Sequence, residues 1–414
     1  MSYLYLFKSK VFLSIFITLL FLCLNYFVSV FANHYLPVAD VVTREFGQSR
    51  SFSDYFVATN IREIWLRWDS NFYEEIIRDG YDKGPFTTEI YKNWAFYPLY
   101  PILVKIIATL LMIPLNSPSI FYIGIVLSNI FIAVTVYFLL KTMEIFEMEQ
   151  ENKLIFLFLL FLSPGGYFFH MFYTESLFAM TSVLTFYFLF NRNYFLAAVF
   201  LALALITRVI AIAIIPAFVI YYFISEYNRK GFIDMIAETI AYGVLALLPL
   251  FAFFIYLYYL TGNFFAAFQI QTAWGNTGLL PFGIFARYYD FHGFFVFWDY
   301  FFSVATVLLL ILYGLWLAER FYFKAKHLAK RKEVIAILIY IMGYIAILSA
   351  IQNFNSVFRY ISANVFIFLI PFLILKFDKS TKNTIIIHTL LAICAFLHVL
   401  FLIFFVNNIP AYGF

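Results

Sequence analysis

Residues 11–32 read VFLSIFITLLFLCLNYFVSVFA, from Val11 to Ala32 without a charged side chain. A helix of that length crosses a ~30 Å hydrocarbon layer, whereas the apolar core of a cleaved signal is only roughly 7–15 residues long. Lys8 and Lys10 stand just before the run, so a retained first helix with a cytoplasmic N-terminus is expected. The remainder of the chain repeats the pattern. Of 414 residues, 64% are hydrophobic and 12% charged, about half the ~25% charged share of a soluble domain. Further apolar runs lie at about 119–140, 154–169, 174–190, 194–207, 208–224, 236–260, 302–319, 334–351, 357–376 and 384–406. With the first they predict about eleven transmembrane helices. The fold class is an all-α polytopic membrane protein, and residues 1–414 form one integral membrane domain with no separate soluble unit.

Two long polar segments interrupt the runs, at 33–95 and 261–300, and both are expected on the non-cytoplasmic side. The first ends in Trp94-Ala-Phe-Tyr-Pro-Leu-Tyr-Pro101, where two prolines three residues apart rule out a regular helix through them. Residues 102–113 then form an amphipathic stretch too short to cross, read as an interfacial or re-entrant helix. The basic residues test this arrangement. Lys8, Lys10, Lys141, Lys153, Arg192, Arg229, Lys230, the dense group Arg320 to Lys332, and Lys376 to Lys382 all fall at ends assigned to the cytoplasm. Outside the first loop, the other side keeps only Lys105, Arg208, Arg287 and Arg359. That asymmetry is the one expected of a membrane protein, provided residues 96–115 do not cross.

Composition also narrows the chemistry. Cys23 and Cys394 both lie in apolar runs, so no disulfide is expected. The six histidines lack metal-ligand spacing, and there is no glycine-rich phosphate loop, so neither a metal nor another cofactor is predicted. The Lys324 to Lys332 group reads as a topology anchor that touches anionic membrane lipid, not as a nucleic-acid site.

The most chemically loaded segment is Trp65-Leu-Arg-Trp-Asp-Ser-Asn-Phe-Tyr73 in the first loop. Read as one helix over 62–79, it aligns Ile61, Trp65, Trp68, Phe72 and Ile76 on a stripe suited to the headgroup level. Asp69 then lies at the stripe's border, over the membrane. Three further ionisable residues sit in or beside apolar runs: Glu175, Arg208 and Arg359. A charge placed there costs roughly 3 kcal/mol unless it faces water or a partner. A Glu175–Arg208 ion pair joining two helices is one explanation, though it leaves Arg359 and Asp69 without a role. A polar cavity opening outward accounts for all four. Arginine grips phosphate oxygens through paired hydrogen bonds, so Arg208 and Arg359 suit a lipid-linked phosphate that leaves. An acceptor hydroxyl needs a base, and Asp69 can be that carboxylate. The alternative class is a polytopic transporter or lipid/glycan flippase that uses intramembrane Glu175 and Arg208. No internal repeat supports it, and the large polar loop lies on one face only.

The motifs Trp65-Leu-Arg-Trp-Asp69 with Gly80-Tyr81, Ala95-Phe-Tyr-Pro-Leu-Tyr-Pro101, Ser163-Pro164, Tyr173-Thr-Glu-Ser176, Thr207-Arg208, and Gln271 with Trp274 resemble the PIG-V-type mannosyltransferases. These are GT-C-fold enzymes related to the second mannosyltransferase of GPI-anchor synthesis. The chain departs from their pattern with Phe96-Tyr97-Pro98 in place of the commoner Phe-Phe-Pro, and with a glycine-rich Ser163-Pro-Gly-Gly166 turn. The resemblance implies a GT-C-like fold with interfacial helices in the first loop. It implies a polyprenyl- or dolichyl-phosphate donor of a hexose, mannose foremost, and inverting transfer to a glycan or glycolipid acceptor. The active site would face away from the cytoplasm, in the cytoplasmic membrane of a prokaryote or the endoplasmic reticulum of a eukaryote. Asp69 is the implied catalytic carboxylate. Arg67, Trp68, Tyr97, His170, Tyr173, Glu175, Gln271 and Trp274 are expected to line the substrate site. Neither a partner subunit nor the donor sugar is legible.

Overall fold

The computed structural model describes residues 9–36, 60–274, 294–324, 331–350, 357–375 and 381–407. In chain order its helices are α1 (Lys10–Tyr35), α2 (Ile61–Trp65), α3 (Asp69–Asp79), α4 (Leu99–Leu110), α5 (Ser119–Ile145), α6 (Gln150–Phe161), α7 (Glu175–Phe190) and α8 (Tyr194–Leu205). Then come α9 (Ile214–Glu226), α10 (Phe232–Thr261), α11 (Ala266–Gln269), α12 (Phe294–Lys324), α13 (Arg331–Ala350), α14 (Val357–Ala363), α15 (Val365–Leu375) and α16 (Thr381–Val406). Short 3-10 turns occupy Asn93–Ala95, Gly166–His170, Val209–Ala213 and Ile270–Trp274. Among the described residues there is no strand, as a chain of apolar runs requires in a solvent that cannot bond exposed backbone.

Six segments among the described residues are long and apolar enough to cross a membrane: α1, α5, Val209–Glu226, α10, α13 and Ile385–Val406. Of the other expected spans, the run at 302–319 lies within the 31-residue α12, and the rest are broken or short. The run at 154–169 is the twelve-residue α6 followed by a 3-10 turn, and the run at 357–376 is divided at Asn364 into α14 and α15. The first break has a packing cause. Ser163 Oγ donates to the Leu160 carbonyl (2.7 Å), and a Cβ on Gly165 would come within 2.6 Å of the Phe358 carbonyl oxygen in α14. Only glycine lets the two backbones approach, which accounts for the unusual Ser163-Pro-Gly-Gly166 turn. In the second loop, α12 begins at Phe294 rather than near 302, and residues 266–274 are helical turns.

The first loop departs most from the sequence expectation. No single helix runs over 62–79. Instead α2 ends at Trp65, and α3 begins at Asp69 after Trp68, whose φ of 52° is left-handed. The cause is tertiary. The Arg67 carbonyl accepts from Ser70 Oγ (2.6 Å) and from the Tyr173 hydroxyl (2.6 Å), which arrives from just before α7. A carbonyl so occupied is lost to a regular helix, and Asp69 becomes the first residue of α3. A carboxylate is favoured there by the unpaired N–H groups and the dipole. Asn60 caps α2 by accepting from the Glu63 N–H (3.2 Å), and Arg62 braces α2 to α3 through both oxygens of Glu74 (2.8 and 3.0 Å).

Lys10 at the start of α1 pairs with Glu144 near the end of α5 at 2.9 Å, so these two helices are antiparallel with no net crossing between them. The intervening α4, about 18 Å long, is too short to span. It buries Tyr100, Val104 and Ala108 while Ile102, Ile106 and Leu110 stay exposed, the two-faced character expected of an interfacial helix. Its Tyr100 hydroxyl donates to the Gly124 carbonyl of α5 (3.0 Å). The core is centred on α7, which packs against α5 and α8 and is buried over most of its length. Another interior contact joins distant chain: His398 of α16 bonds the Ser163 carbonyl (3.0 Å) and the Asn25 amide of α1 (2.8 Å).

Candidate active site

Four charged side chains expected at one face converge. Asp69 Oδ2 accepts from Arg359 Nη2 at 2.6 Å. Arg359 Nε lies 2.9 Å from Glu175 Oε1, a charge contact whose N–H is not aligned as a hydrogen bond. The same Glu175 oxygen accepts from Arg208 Nη1. The result is an alternating chain, Asp69–Arg359–Glu175–Arg208, with two charges of each sign. Glu175 is 1% exposed and the two arginines 7–8%, whereas Asp69 is 26% exposed and forms the open end. Burial of so many charges is tolerable only because each has an opposite neighbour, and removing one would strand the next.

Local structure delivers each of them. The Arg67 turn places Asp69 at the N-terminus of α3, and Thr174 and Glu175 open α7. Arg208 occupies the extended residue between α8 and the 3-10 turn before α9. Arg359 lies in the short α14, and its guanidinium sits 5.2 Å from the Tyr173 ring centre. Arg208 stacks over Tyr360 at 4.3 Å, a cation–π contact that orients a planar cation. Thr174 Oγ1 lies 3.5 Å from Arg208 Nη1 and 3.3 Å from the Tyr73 hydroxyl. Burial pushes the Tyr73 phenol well above its ordinary value, so it remains a neutral hydroxyl in this cluster.

Among the described residues, buried groups at or near the cluster without a hydrogen-bond partner include Glu175 Oε2, Arg359 Nε and the Tyr97 hydroxyl. Such groups are rare in folded proteins, and they mark where a ligand could bond. Burial, followed by the neighbouring Tyr360, pushes the Tyr97 phenol up, so it too stays protonated.

The remaining expected residues divide. Tyr173 touches the cluster through Arg359 and holds the Arg67 carbonyl. Trp68 precedes α3 and supplies its left-handed turn. The Arg67 side chain is directed to backbone carbonyls, those of Ile64 (3.3 Å) and Val406 (3.4 Å), and so ties the loop to the end of α16. His170 is fully buried, its Nδ1 at 2.7 Å from Asn129 Oδ1 and its ring stacked on Phe161, away from any open surface. Gln271 lies in the Ile270–Trp274 turn beside the Asn93–Ala95 turn. The Trp274 side chain lies outside the described residues. Glu74 of α3 is the partner of Arg62. Thr174, Tyr73, Ser70 and Tyr360 were not anticipated. Each stands next to or within a motif already singled out, but nothing in their spacing indicates the partners they find across the fold.

No protein-family model matches the chain. Among solved structures, the archaeal oligosaccharyltransferase AglB of Archaeoglobus fulgidus, in complex with an inhibitory peptide and a dolichol-phosphate, aligns with 96% of this chain and 56% of its own. The identity is 14% and the TM-score 0.43. Among curated proteins, GPI mannosyltransferase 2 of Schizosaccharomyces pombe is 26% identical over 186 residues, which is 44% of this chain. The match spans 37% of that relative's own length. By sequence, the chain is similar over that part to a GPI mannosyltransferase 2.

Proposed function

We propose that the protein is an integral membrane glycosyltransferase. It moves a hexose, with mannose the first candidate, from a polyprenyl- or dolichyl-phosphate to a hydroxyl of a lipid-linked glycan or other acceptor. Transfer occurs on the non-cytoplasmic face with inversion. The observation that carries this reading is the partly exposed Asp69 carboxylate, one hydrogen bond from the buried Arg359 and continuous through Glu175 with Arg208. The partial similarity to GPI mannosyltransferase 2 supports the reaction class.

The arrangement suits the charge flow of the reaction. The acceptor oxygen attacks the anomeric carbon while the bond from that carbon to the phosphate oxygen breaks, its electron pair leaving with the phosphate. Asp69 takes the acceptor's proton. Negative charge thereby disappears at Asp69 and appears on the leaving phosphate. Arg359, already bonded to Asp69, can follow that charge, and its unused Nε–H is a ready donor. Arg208, stacked on Tyr360, holds Glu175 and offers a second guanidinium for the phosphate.

The direct test is sugar transfer in nanodiscs from radiolabelled polyprenyl-phosphate mannose. Wild-type protein should label a lipid or glycan acceptor, and Asp69→Asn should lose about 10²-fold or more in kcat with donor binding kept. Near wild-type transfer by Asp69→Asn would remove the base. A scaffold reading is favoured by one contact, the Glu175–Arg208 pair. If Glu175→Gln combined with Arg208→Gln transfers sugar like the wild type, the pair is structural and Arg208 has no part in donor binding.

A further inference from the structure

A second charged assembly lies at the opposite end of the same helices. α7 begins at Glu175 and ends at Phe190, about 24 Å further along its axis. The 3-10 turn after Arg208 leads into α9, which ends at Glu226, and α13 starts at Arg331 on this second side. Here Phe190, Arg192, Ile224, Arg331, Lys332, Glu333 and Ile335 line a cleft of about 690 Å³. Three cations face one carboxylate in its lining, so the cleft attracts an anion.

The carboxylates around it are tied down. Glu226 accepts from the Tyr194 hydroxyl and lies 3.9 Å from Arg192 Nη1, a loose pair. Glu333 is 4% exposed; its Oε1 accepts from the Tyr221 hydroxyl at 3.2 Å, and Lys332 Nζ sits 5.2 Å above the Tyr221 ring. Among the described residues of the lining, two buried atoms are left without a hydrogen bond, Arg192 Nη1 and Glu333 Oε2. One is a cationic donor and the other an anionic acceptor, and both belong to residues lining the cleft. A single ligand that satisfies both must carry an anionic oxygen and, nearby, an N–H or O–H. Phe190, Ile224 and Ile335 give the same cleft an apolar wall, with Ile224 itself exposed. A ligand with an apolar body below its charge fits that wall, and a free ion does not use it.

We propose that this cleft binds the headgroup of a membrane glycerophospholipid. Arg192, Arg331 and Lys332 hold its phosphate, and Glu333 accepts from an amine or hydroxyl of the headgroup, as in phosphatidylethanolamine or phosphatidylglycerol. The helix ends that carry the cleft lie at headgroup level when α13 spans the bilayer. The site is separate from the Asp69 cluster and does not depend on the function proposed for it.

The experiment uses full-length protein, delipidated in detergent and supplied with phosphatidylethanolamine, phosphatidylglycerol, phosphatidylcholine or inorganic phosphate. Bound lipid is counted by native mass spectrometry, and the melting temperature is read in parallel. Phosphatidylethanolamine and phosphatidylglycerol should be retained and raise the melting temperature; phosphatidylcholine, which has the phosphate but no N–H or O–H on its headgroup, should be retained less. Arg331→Gln, at an exposed position, should weaken retention about five-fold, and Arg192→Gln with Lys332→Gln should weaken it further. Glu333→Gln should narrow the difference between phosphatidylethanolamine and phosphatidylcholine, a change that simple loss of fold does not produce. Equal retention of all three lipids by wild type and Arg331→Gln would overturn the proposal. Stabilisation by inorganic phosphate equal to that by lipid would overturn the lipid assignment and leave a soluble phosphate as the ligand.

Discussion

The two charged ends of the bundle share α7 and the ends of α8 and α9 yet are arranged to opposite effect. At the Asp69 end, each charge has an opposite neighbour within 3 Å, the two signs balance, and only Asp69 reaches the surface. At the Arg192 end, cations outnumber carboxylates in the lining, Arg192 stands 3.9 Å from Glu226 beside the cleft, and the assembly lies open. A balanced, buried chain of charges resists a free ion but permits exchange of one anion for another, which a group-transfer site needs. An open, positive cleft collects anions from a surface. Balance and burial, more than the number of charged residues, therefore separate a site suited to chemistry from one suited to attachment.

The sharpest break of this comparison is all-or-none. A cysteine replacing Arg331 should react with an impermeant reagent only after the membrane is opened, while one replacing Asp82 should label from outside in sealed, right-side-out vesicles. Labelling of position 331 from outside would exchange the two faces, and with them the compartment of the Asp69 site. Next in size is the dependence of transfer on Asp69 geometry. Asp69→Glu keeps the charge but moves the oxygen by about an ångström, and a fall in transfer rate of about tenfold or more is expected. Glu333→Gln at the far end should leave transfer unchanged; an equal loss from both would show that the two ends act as one unit.

Removing a single member of the buried chain tests its balance. Glu175→Gln leaves Arg208 and Arg359 facing one another without a shared anion, and about 3–5 kcal/mol of stability should be lost. Thermal melting in detergent reads this, and Glu175→Gln with Arg208→Gln should recover much of the loss. A single variant as stable as the wild type would mean that water, not Glu175, neutralises the arginines. The smallest effect is expected at Glu74. Its pair with Arg62 is partly exposed, with side chains 16% and 30% accessible, so Glu74→Gln should lower stability by only about 0.2–1 kcal/mol. Transfer should stay near the wild-type rate; abolition would mean that the brace between α2 and α3 sets the position of Asp69.

Much was legible in the amino-acid order alone. Apolar runs and the scarcity of internal charges specify a helical membrane protein, because lipid cannot satisfy an open backbone. The rarity of charge in those runs singled out Glu175, Arg208 and Arg359, since each needs a partner or a wet cavity. The Trp65–Tyr73 stretch drew attention to Asp69 for its setting. What these residues do to one another was decided only by the tertiary structure. Periodicity carries a helix straight through Arg67, but Tyr173, 106 residues later, takes the Arg67 carbonyl and so creates the break that puts Asp69 at a helix start. Arg359 meets Asp69 across 290 residues, and Glu175 lies between two arginines rather than beside one. His170 has the residue type of a sugar ligand, but packing against Phe161 and Asn129 seals it inside. The reason is general to such chains. Hydrophobicity and local propensity act between near neighbours and can be read along the sequence, whereas a buried charge or hydroxyl takes its meaning from whichever partner the folded chain brings within hydrogen-bond reach.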